Sequence, residues 1–212
     1  MMRPGLLLCV AILVSANSGH AQSFETCTKV ERGKLNAAYA RAERLTLTAT
    51  TAIGPNPAFE RWFGAYSAKN GERVRRVLKG IVKGLKAGDG IATCLNNGQD
   101  LCGDDTYAFV SKSDPYNVSF CPSFFEMDTM KDLTAENLHD GVGTRAGTIV
   151  HEFSHFSIVG DTEDLCYARD VCSDMAQTSS EDAIHNADSY QFFVEDVTYY
   201  GVAGAAPGAG AQ

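Results

Sequence analysis

The chain has 212 residues, with 18 Lys or Arg against 26 Asp or Glu, so its formal net charge is −8. This length fits one domain that can bury a hydrophobic core. The acidic balance argues against nucleic acid as a partner. Beyond the N-terminus no segment approaches the roughly 20 apolar residues of a transmembrane helix, which argues against a membrane partner.

The first 21 residues have the pattern of an export signal. Arg3 precedes a short apolar run from Leu6 to Val14, and Gly19-His20-Ala21 supplies a cleavage site of small residues. The alternative is a buried N-terminal helix. We expect a signal peptide over 1–21 and a mature chain that is secreted, or exported to the periplasm of a Gram-negative host.

Cleavage of that signal removes Cys9 and leaves six cysteines. An even number in an exported chain favours disulfides, because the compartment is oxidising. No two of them form a CxxC pair, which argues against a cysteine zinc cluster. Spacing alone does not choose a pairing for Cys27, Cys94, Cys102, Cys121, Cys166 and Cys172.

The first part of the mature chain predicts helices. Residues 27–52 carry an apolar stripe, and residues 54–57 (GPNP) interrupt it. A short helix is expected over 59–66. Residues 72–86 (ERVRRVLKGIVKGLK) predict a basic amphipathic helix, which we interpret as facing the core with a solvated outer side. The alternative is a helix that binds a membrane or an acidic partner.

Short strands and then further helices follow. Residues 106–111 and 117–121 are rich in aromatic and β-branched residues and predict a hairpin, whereas 131–143 predicts a loop. Thr144 is a candidate N-cap for a helix that runs to about Val159 and stops at Gly160. A last helix is expected from Ser179 or Ser180 to about Val197, and a disordered Gly/Ala-rich tail over 201–212.

Residues 151–155 read HEFSH, the most informative motif of the chain. His151 and His155 are four residues apart on the predicted helix, so both imidazoles can bind one ion. Glu152 lies near the same face, where it can take a proton from a water that zinc has acidified. The motif predicts one catalytic Zn²⁺. The alternative is two surface histidines around a glutamate.

A catalytic zinc needs a third protein ligand, and the residues alone leave several candidates. The spacing of a third histidine in metzincins falls on Asp161, so that class is excluded. A gluzincin site would take Glu181 or Glu195 from a later helix. The turn after Gly160 offers the carboxylates of Asp161, Glu163 and Asp164.

The segment Gly160-Asp161-Thr162-Glu163-Asp164-Leu165-Cys166-Tyr167-Ala168 resembles the GTxxDxxYG element of the aspzincins, the deuterolysin and peptidyl-lysine metallopeptidase family. The resemblance continues at 59–66, 106–109, 118–121 and 146–156, so that it spans roughly 27–196. It implies Asp164 as third ligand and Tyr167 as the donor that stabilises the oxyanion. The sequence departs from the family at Asp161 and Ala168.

The resemblance also implies a fold and a disulfide framework. We expect an α+β, mainly helical zincin-like metallopeptidase domain over 22–200, with a small β-hairpin or sheet and an HExxH active-site helix. The implied disulfides are Cys27–Cys94 and Cys102–Cys121, with Cys166–Cys172 as the remaining pair.

Substrate preference depends on the last predicted helix. Lysine-specific members carry two acids there, whereas this chain has Asp188 and then Gln191. We therefore expect a zinc endopeptidase, monomeric and acting on proteins or peptides, whose preference for Lys at P1′ is weakened. The alternatives are a non-catalytic secreted binding module and a gluzincin-type peptidase. His139 and His185 receive no role.

Overall fold

A computed structural model describes residues 22–103, 105–133 and 143–203. The predicted signal peptide, His139 and residues 204–212 of the predicted tail lie outside these ranges. The helices are α1 (Lys29–Thr51), α2 (Pro57–Phe63), α3 (Ala68–Ala87), α4 (Arg145–His155), α5 (Arg169–Thr178), α6 (Ser180–Ala183) and α7 (Ala187–Tyr200). The strands are β1 (Ser23–Glu25), β2 (Ile91–Cys94), β3 (Ala108–Phe109) and β4 (Val118–Phe120). None of the described helices is long and apolar enough to cross a bilayer.

The last helix, α7, lies at the centre of the domain. Every residue from Ala187 to Val197 is buried, because α1, α2 and α4 pack around it. A helix buried on all sides must satisfy its polar groups inside the protein. The side chains of α7 that carry charge therefore have partners on neighbouring helices, as described below.

An aromatic cluster joins α2 to α7. Trp62 and Phe63 are fully buried against Phe192 and Phe193, with ring centroids 5.1 Å apart for Trp62–Phe192 and 5.2 Å apart for Phe63–Phe193. Asn56 caps α2 by accepting a hydrogen bond from the amide of Phe59 at 3.0 Å. The predicted short helix is thus confirmed, although it starts two residues earlier and ends three residues earlier than expected.

The strands form one sheet in the order β1-β2-β4-β3. β1 and β4 both pair parallel with β2, and β3 pairs antiparallel with β4 at the sheet edge. The predicted hairpin is therefore present as β3 and β4. β1 and β2 were not predicted, because they have three and four residues and pair only with strands far away in the sequence.

Three disulfides join the six cysteines in the pairs that the family resemblance implied. Cys27–Cys94 connects the start of α1 to the end of β2, and Cys102–Cys121 connects a loop to the end of β4. Cys166–Cys172 closes a short loop around the start of α5. Such cross-links stabilise a domain by about 2–4 kcal/mol each in the loop-entropy model.

Two predicted helix boundaries were wrong. The helix with the histidines ends at His155, not near Val159, because the backbone of Phe156 leaves the helical region and its carbonyl accepts the amides of Val159, Gly160 and Asp161. The last predicted helix is divided into α6 and α7 by residues 184–186. Helix α5 was not predicted at all.

Candidate metal centre

The two histidines stand on α4, whose start is attached to α7. The hydroxyl of Thr144 accepts a hydrogen bond from the amide of Gly147 at 3.1 Å and so caps the helix, as predicted. Glu195 of α7 accepts hydrogen bonds from both the amide and the hydroxyl of Thr144, each at 2.8 Å. These contacts set the position of α4 relative to the central helix.

Three ligand atoms form a compact triangle at the end of α4. The Nε2 atoms of His151 and His155 are 3.1 Å apart, and Oδ1 of Asp164 lies 3.1 Å from the first and 3.3 Å from the second. Among the described residues this is the group of His, Cys, Asp and Glu side chains that could hold a metal ion. The loop carboxylate thus meets the helix histidines.

The triangle has the dimensions that zinc requires. Ligand atoms about 2.0–2.1 Å from a tetrahedral Zn²⁺ lie about 3.3 Å from one another, close to the observed separations. Two imidazole nitrogens and a carboxylate oxygen are also an acceptor set that needs a cation or protons between its members. The residues present therefore fit one zinc ion with an open fourth position.

Both imidazoles are oriented through their other ring nitrogen. Nδ1 of His151 lies 2.7 Å from Oδ1 of Asp188, and Nδ1 of His155 lies 2.9 Å from the carbonyl oxygen of Thr162. Each partner is an acceptor, so the proton resides on Nδ1 and the lone pair of Nε2 faces the triangle. Asp188, which is buried at 6% exposure, is thus a histidine partner.

The segment that carries Asp164 is fixed on both sides of that residue. The backbone of Glu163 pairs with the residues just before α7. Its amide donates a hydrogen bond to the carbonyl of His185 at 2.8 Å, and its carbonyl accepts one from the amide of Ala187 at 3.0 Å. The side-chain oxygen of buried Asn186 accepts the amides of Leu165 at 2.9 Å and Cys166 at 3.2 Å. Asp164 has little freedom to leave the triangle.

A buried cluster of one arginine and two carboxylates follows directly after this segment. The Arg169 guanidinium donates hydrogen bonds to Glu195 and to Asp196, each at 2.5 Å. All three side chains are buried. Because Glu195 also binds Thr144, this cluster connects the start of α4, the start of α5 and α7. The cluster therefore links the helix that carries the histidines to the segment that carries Asp164.

An open cleft of about 710 Å³ lies over the triangle. The edge strand β3 forms one wall, and Asp164, Tyr167 and Ala168 form the other. Glu152 reaches this cleft from a buried position, and its burial raises the pKa of its carboxyl group, while the two imidazoles act in the opposite direction. A carboxylate with a raised pKa next to a metal site is suited to take up a proton.

Tyr167 stands on the exposed rim, with 61% of its surface accessible. Partial desolvation and then the charge of Asp164 raise the pKa of its phenol to about 12. The phenol therefore keeps its proton at neutral pH and can donate a hydrogen bond. Partial burial acts to raise the pKa of Asp164 itself, but the histidines outweigh it and lower that pKa.

The remaining predicted carboxylates lie elsewhere. Within the described ranges, neither Glu181 nor Glu195 contributes to the metal triangle: Glu181 is exposed beside His185, and Glu195 is paired with Arg169. Asp161 and Glu163 contact Lys112 at 3.5 and 2.5 Å. The positions of Glu181 and Glu195 therefore do not support a gluzincin ligand set.

Gln191 lines the cleft together with Asp188, on the side of α7 that faces α4. Sequence reasoning missed the supporting residues Thr162, Arg169 and Asn186. Position is the one recognisable signal for two of them, because Thr162 lies inside the predicted ligand segment and Arg169 follows it directly. Asn186 lies in the middle of the predicted last helix, so its position gave no signal. None carries a motif of its own.

Comparison with known proteins gives a family and related enzymes. The sequence pattern of the aspzincin family, described as lysine-specific metallo-endopeptidase, matches residues 48–195. An extracellular protease of Aeromonas hydrophila is 29% identical over 174 residues, covering 80% of this chain and 46% of that protein. A peptidyl-Lys metalloendopeptidase of Armillaria mellea is 26% identical over 192 residues, covering 88% and 50%.

The chain thus spans about half the length of these two curated relatives. A solved structure of a zinc peptidase from Grifola frondosa superposes with a TM-score of 0.70 at 23% identity, covering 81% of this chain and 98% of the other. This similarity establishes that the two proteins share a fold.

Proposed function

The chain belongs to the aspzincin family of lysine-specific metallo-endopeptidases, and on that premise we propose that it is a secreted zinc endopeptidase that hydrolyses internal peptide bonds of proteins. The observation that carries the proposal is the triangle of His151, His155 and Asp164, with sides of 3.1–3.3 Å. It lies at the base of an open cleft of about 710 Å³.

His151, His155 and Asp164 hold the zinc ion. When bound, zinc supplies Lewis acidity that polarises a carbonyl and lowers the pKa of a water towards about 7. Glu152 accepts a proton from the attacking water on a carboxylate oxygen and then donates it to the leaving amine. Burial raises the pKa of this carboxyl group, which makes it a better proton acceptor than a solvated glutamate.

Tyr167 stabilises the negative charge that develops on the peptide carbonyl oxygen. Its phenol stands at the rim beside the ligand Asp164 and stays protonated, with a pKa of about 12. A donor aimed at charge that appears only in the transition state accelerates the reaction without tightening substrate binding.

Lysine selectivity at P1′ is weakened in this chain. Asp188 lines the cleft but uses Oδ1 for the ring of His151 at 2.7 Å, which leaves one oxygen for a substrate ammonium. Gln191 stands where lysine-specific members carry a second acid and supplies a polar amide without charge. A single shared carboxylate discriminates less sharply than two.

The three disulfides and the signal-like residues 1–21 support secretion, and we assign 22–200 to the peptidase domain. Disulfides of this kind persist in an oxidising compartment. The substrates are proteins or peptides, and we expect the enzyme to act as a monomer.

The test is digestion of a denatured protein of known sequence by the purified mature enzyme, with and without a zinc chelator. Mass spectrometry of the new N-termini identifies the cleavage sites. We expect chelator-sensitive products whose first residues include lysine without being restricted to it. Absence of cleavage by folded, zinc-loaded protein would contradict the proposal and favour a binding module.

A further inference from the structure

Helix α3 carries a concentration of positive charge that the catalytic site does not use. It contains seven Lys or Arg and one Glu, a formal charge of +6, so that the rest of the chain carries −14 against the total of −8. The helix is thus opposite in sign to the remainder of the molecule. Such an asymmetry is a feature of surfaces that bind polyanions.

Four of the seven cations occupy the outer side of the helix. At 100° per residue, Lys79 and Lys83 lie about 200° around the axis from buried Ile81, directly away from the core. Arg76 and Lys86 extend the same row, and all four side chains are exposed. These residues (76, 79, 83 and 86), here named the basic row, span about 15 Å at 1.5 Å per residue.

Carboxylates of the protein neutralise little of the basic row. Lys86 lies 3.9 Å from Glu43, and Glu72 pairs with Arg75. In the described part of the chain, no salt bridge joins Arg76, Lys79 or Lys83 to an acid. Three successive cations are therefore available to external anions without breaking an internal contact.

The basic row faces away from the catalytic cleft. Gly84, on the inner side of α3, lies against Phe153 and Tyr116. Phe153 follows His151 by two residues and so points to the opposite side of α4. Arg73, on the same helix, also donates a hydrogen bond to the carbonyl of Gly160, in the turn that follows α4. A partner held by the basic row leaves the cleft open to substrate.

We propose that the basic row is a docking surface for a linear acidic polysaccharide, with sulfate or carboxylate groups as the recognised anions. A narrow row of cations about 15 Å long matches a chain of charges better than a plane.

The chemistry of the row also separates this partner from lipids and from single-stranded nucleic acids. The apolar side of α3 is committed to the core through Val77, Leu78 and Ile81, so the helix has no apolar surface to insert into a bilayer. The row contains no aromatic residue on which a base could stack. Binding is therefore electrostatic and falls with salt.

The experiment compares two double variants of the mature enzyme with matched charge. Lys79→Glu with Lys83→Glu reverses two cations of the row, and Lys29→Glu with Lys131→Glu reverses two exposed cations elsewhere. Binding to heparin and to polygalacturonate is measured at about 50 mM salt and again at higher salt, where polyanion contacts weaken. Vesicles of phosphatidylcholine with phosphatidylglycerol and duplex DNA serve as comparison ligands.

We expect the row variant to bind polysaccharide about tenfold more weakly than wild type at low salt, because two of its contacts are reversed, and the control variant to bind within about twofold. Preference for heparin or for polygalacturonate identifies the anionic group. Equal losses in both variants, no binding by wild type, or preferential binding to vesicles or DNA would overturn the proposal. Peptide hydrolysis, unchanged in both variants, verifies folding.

Discussion

The two sides of the metal centre are positioned by different means. On α4, His151 and His155 are four residues apart, so the helix itself brings their side chains to one face. Asp164 and Tyr167 lie in a segment without regular secondary structure. That segment is held by Asn186, about twenty residues later in the chain, and by the Cys166–Cys172 disulfide.

The two sides also differ in exposure. Glu152 and His155 on the helix are 5% and 7% exposed, whereas Tyr167 on the loop is 61% exposed. Glu152 and the two histidines are thus held at buried or partly buried positions on the helix, whereas Asp164 and Tyr167 on the loop are exposed. Perturbing the loop is therefore expected to leave the helix intact, and the following variants test that separation.

The largest effect is expected on the helix side, from Glu152→Gln. The amide keeps the shape of the side chain but cannot take a proton, so kcat falls by about 10²–10⁴-fold. Zinc content, measured by atomic absorption, stays at that of wild type because the ligands are untouched. A kcat within tenfold of wild type would assign the proton transfer to another group.

On the loop side, Tyr167→Phe removes one hydrogen-bond donor from an exposed residue. We expect kcat to fall by about 10²–10³-fold, as for other oxyanion donors, with KM and zinc content close to wild type. Steady-state kinetics on a short peptide measures both parameters. A rise in KM with unchanged kcat would mean that Tyr167 serves substrate binding only.

Asn186→Ala tests whether the loop depends on its distant anchor. The change leaves the amides of Leu165 and Cys166 without their acceptor, and we expect zinc affinity to fall by about 10–100-fold. Chelator competition measures this affinity. Asn186→Asp keeps the acceptor oxygen and is the matched control, so it should bind zinc more tightly than the alanine variant.

Equal zinc affinities for Asn186→Ala and wild type would break the contrast between the two sides, since the loop would then hold its own shape. Circular dichroism of the metal-free variants provides the second readout. We expect the helical signal of Asn186→Ala to match that of wild type, because its hydrogen bonds to the loop do not support α4.

The smallest effect concerns backbone strain in the loop. Ala168 has φ of 68° and ψ of 151°, a conformation that favours glycine, and it stands where the family element ends in glycine. We expect Ala168→Gly to increase the free energy of unfolding by about 1 kcal/mol, the relief of strain exceeding the entropic cost. Urea denaturation measures the change.

Ala40→Gly on the exposed side of α1 is the control for that measurement. Glycine in a helix interior costs roughly 0.5–1 kcal/mol relative to alanine. The two variants should therefore shift stability in opposite directions. If both destabilise the protein, the positive φ of Ala168 carries no net strain.

Much of the helix side was predictable from the sequence, because its signals are local. Thr144 as N-cap and the histidine pair follow from spacing within one helix. The end of α4 was not predictable, since Phe156, Ile158 and Val159 continue an apolar pattern. The structure shows that Ile158 is 64% exposed while Phe156 is buried, a distinction that tertiary packing alone decides.

The loop side was predictable only by resemblance to a family. Three nearby carboxylates were equivalent on chemical grounds, and only the fold directs Asp161 and Glu163 to Lys112 while Asp164 meets the histidines. The break between α6 and α7 was hidden in a continuous helical pattern. Because Asn186 lies in that break, its side chain can accept the amides of Leu165 and Cys166. These partners are about twenty residues away in the sequence.

The zinc content of Asp164→Ala, compared with that of Glu181→Ala, tests the central claim most directly. Both changes remove one carboxylate with partial or full exposure, but only Asp164 belongs to the triangle. After dialysis against zinc-free buffer and spectroscopic proof of folding, we predict that Asp164→Ala has lost its zinc and that Glu181→Ala retains one ion. Retention of zinc by Asp164→Ala at the wild-type level would contradict the proposed ligand set.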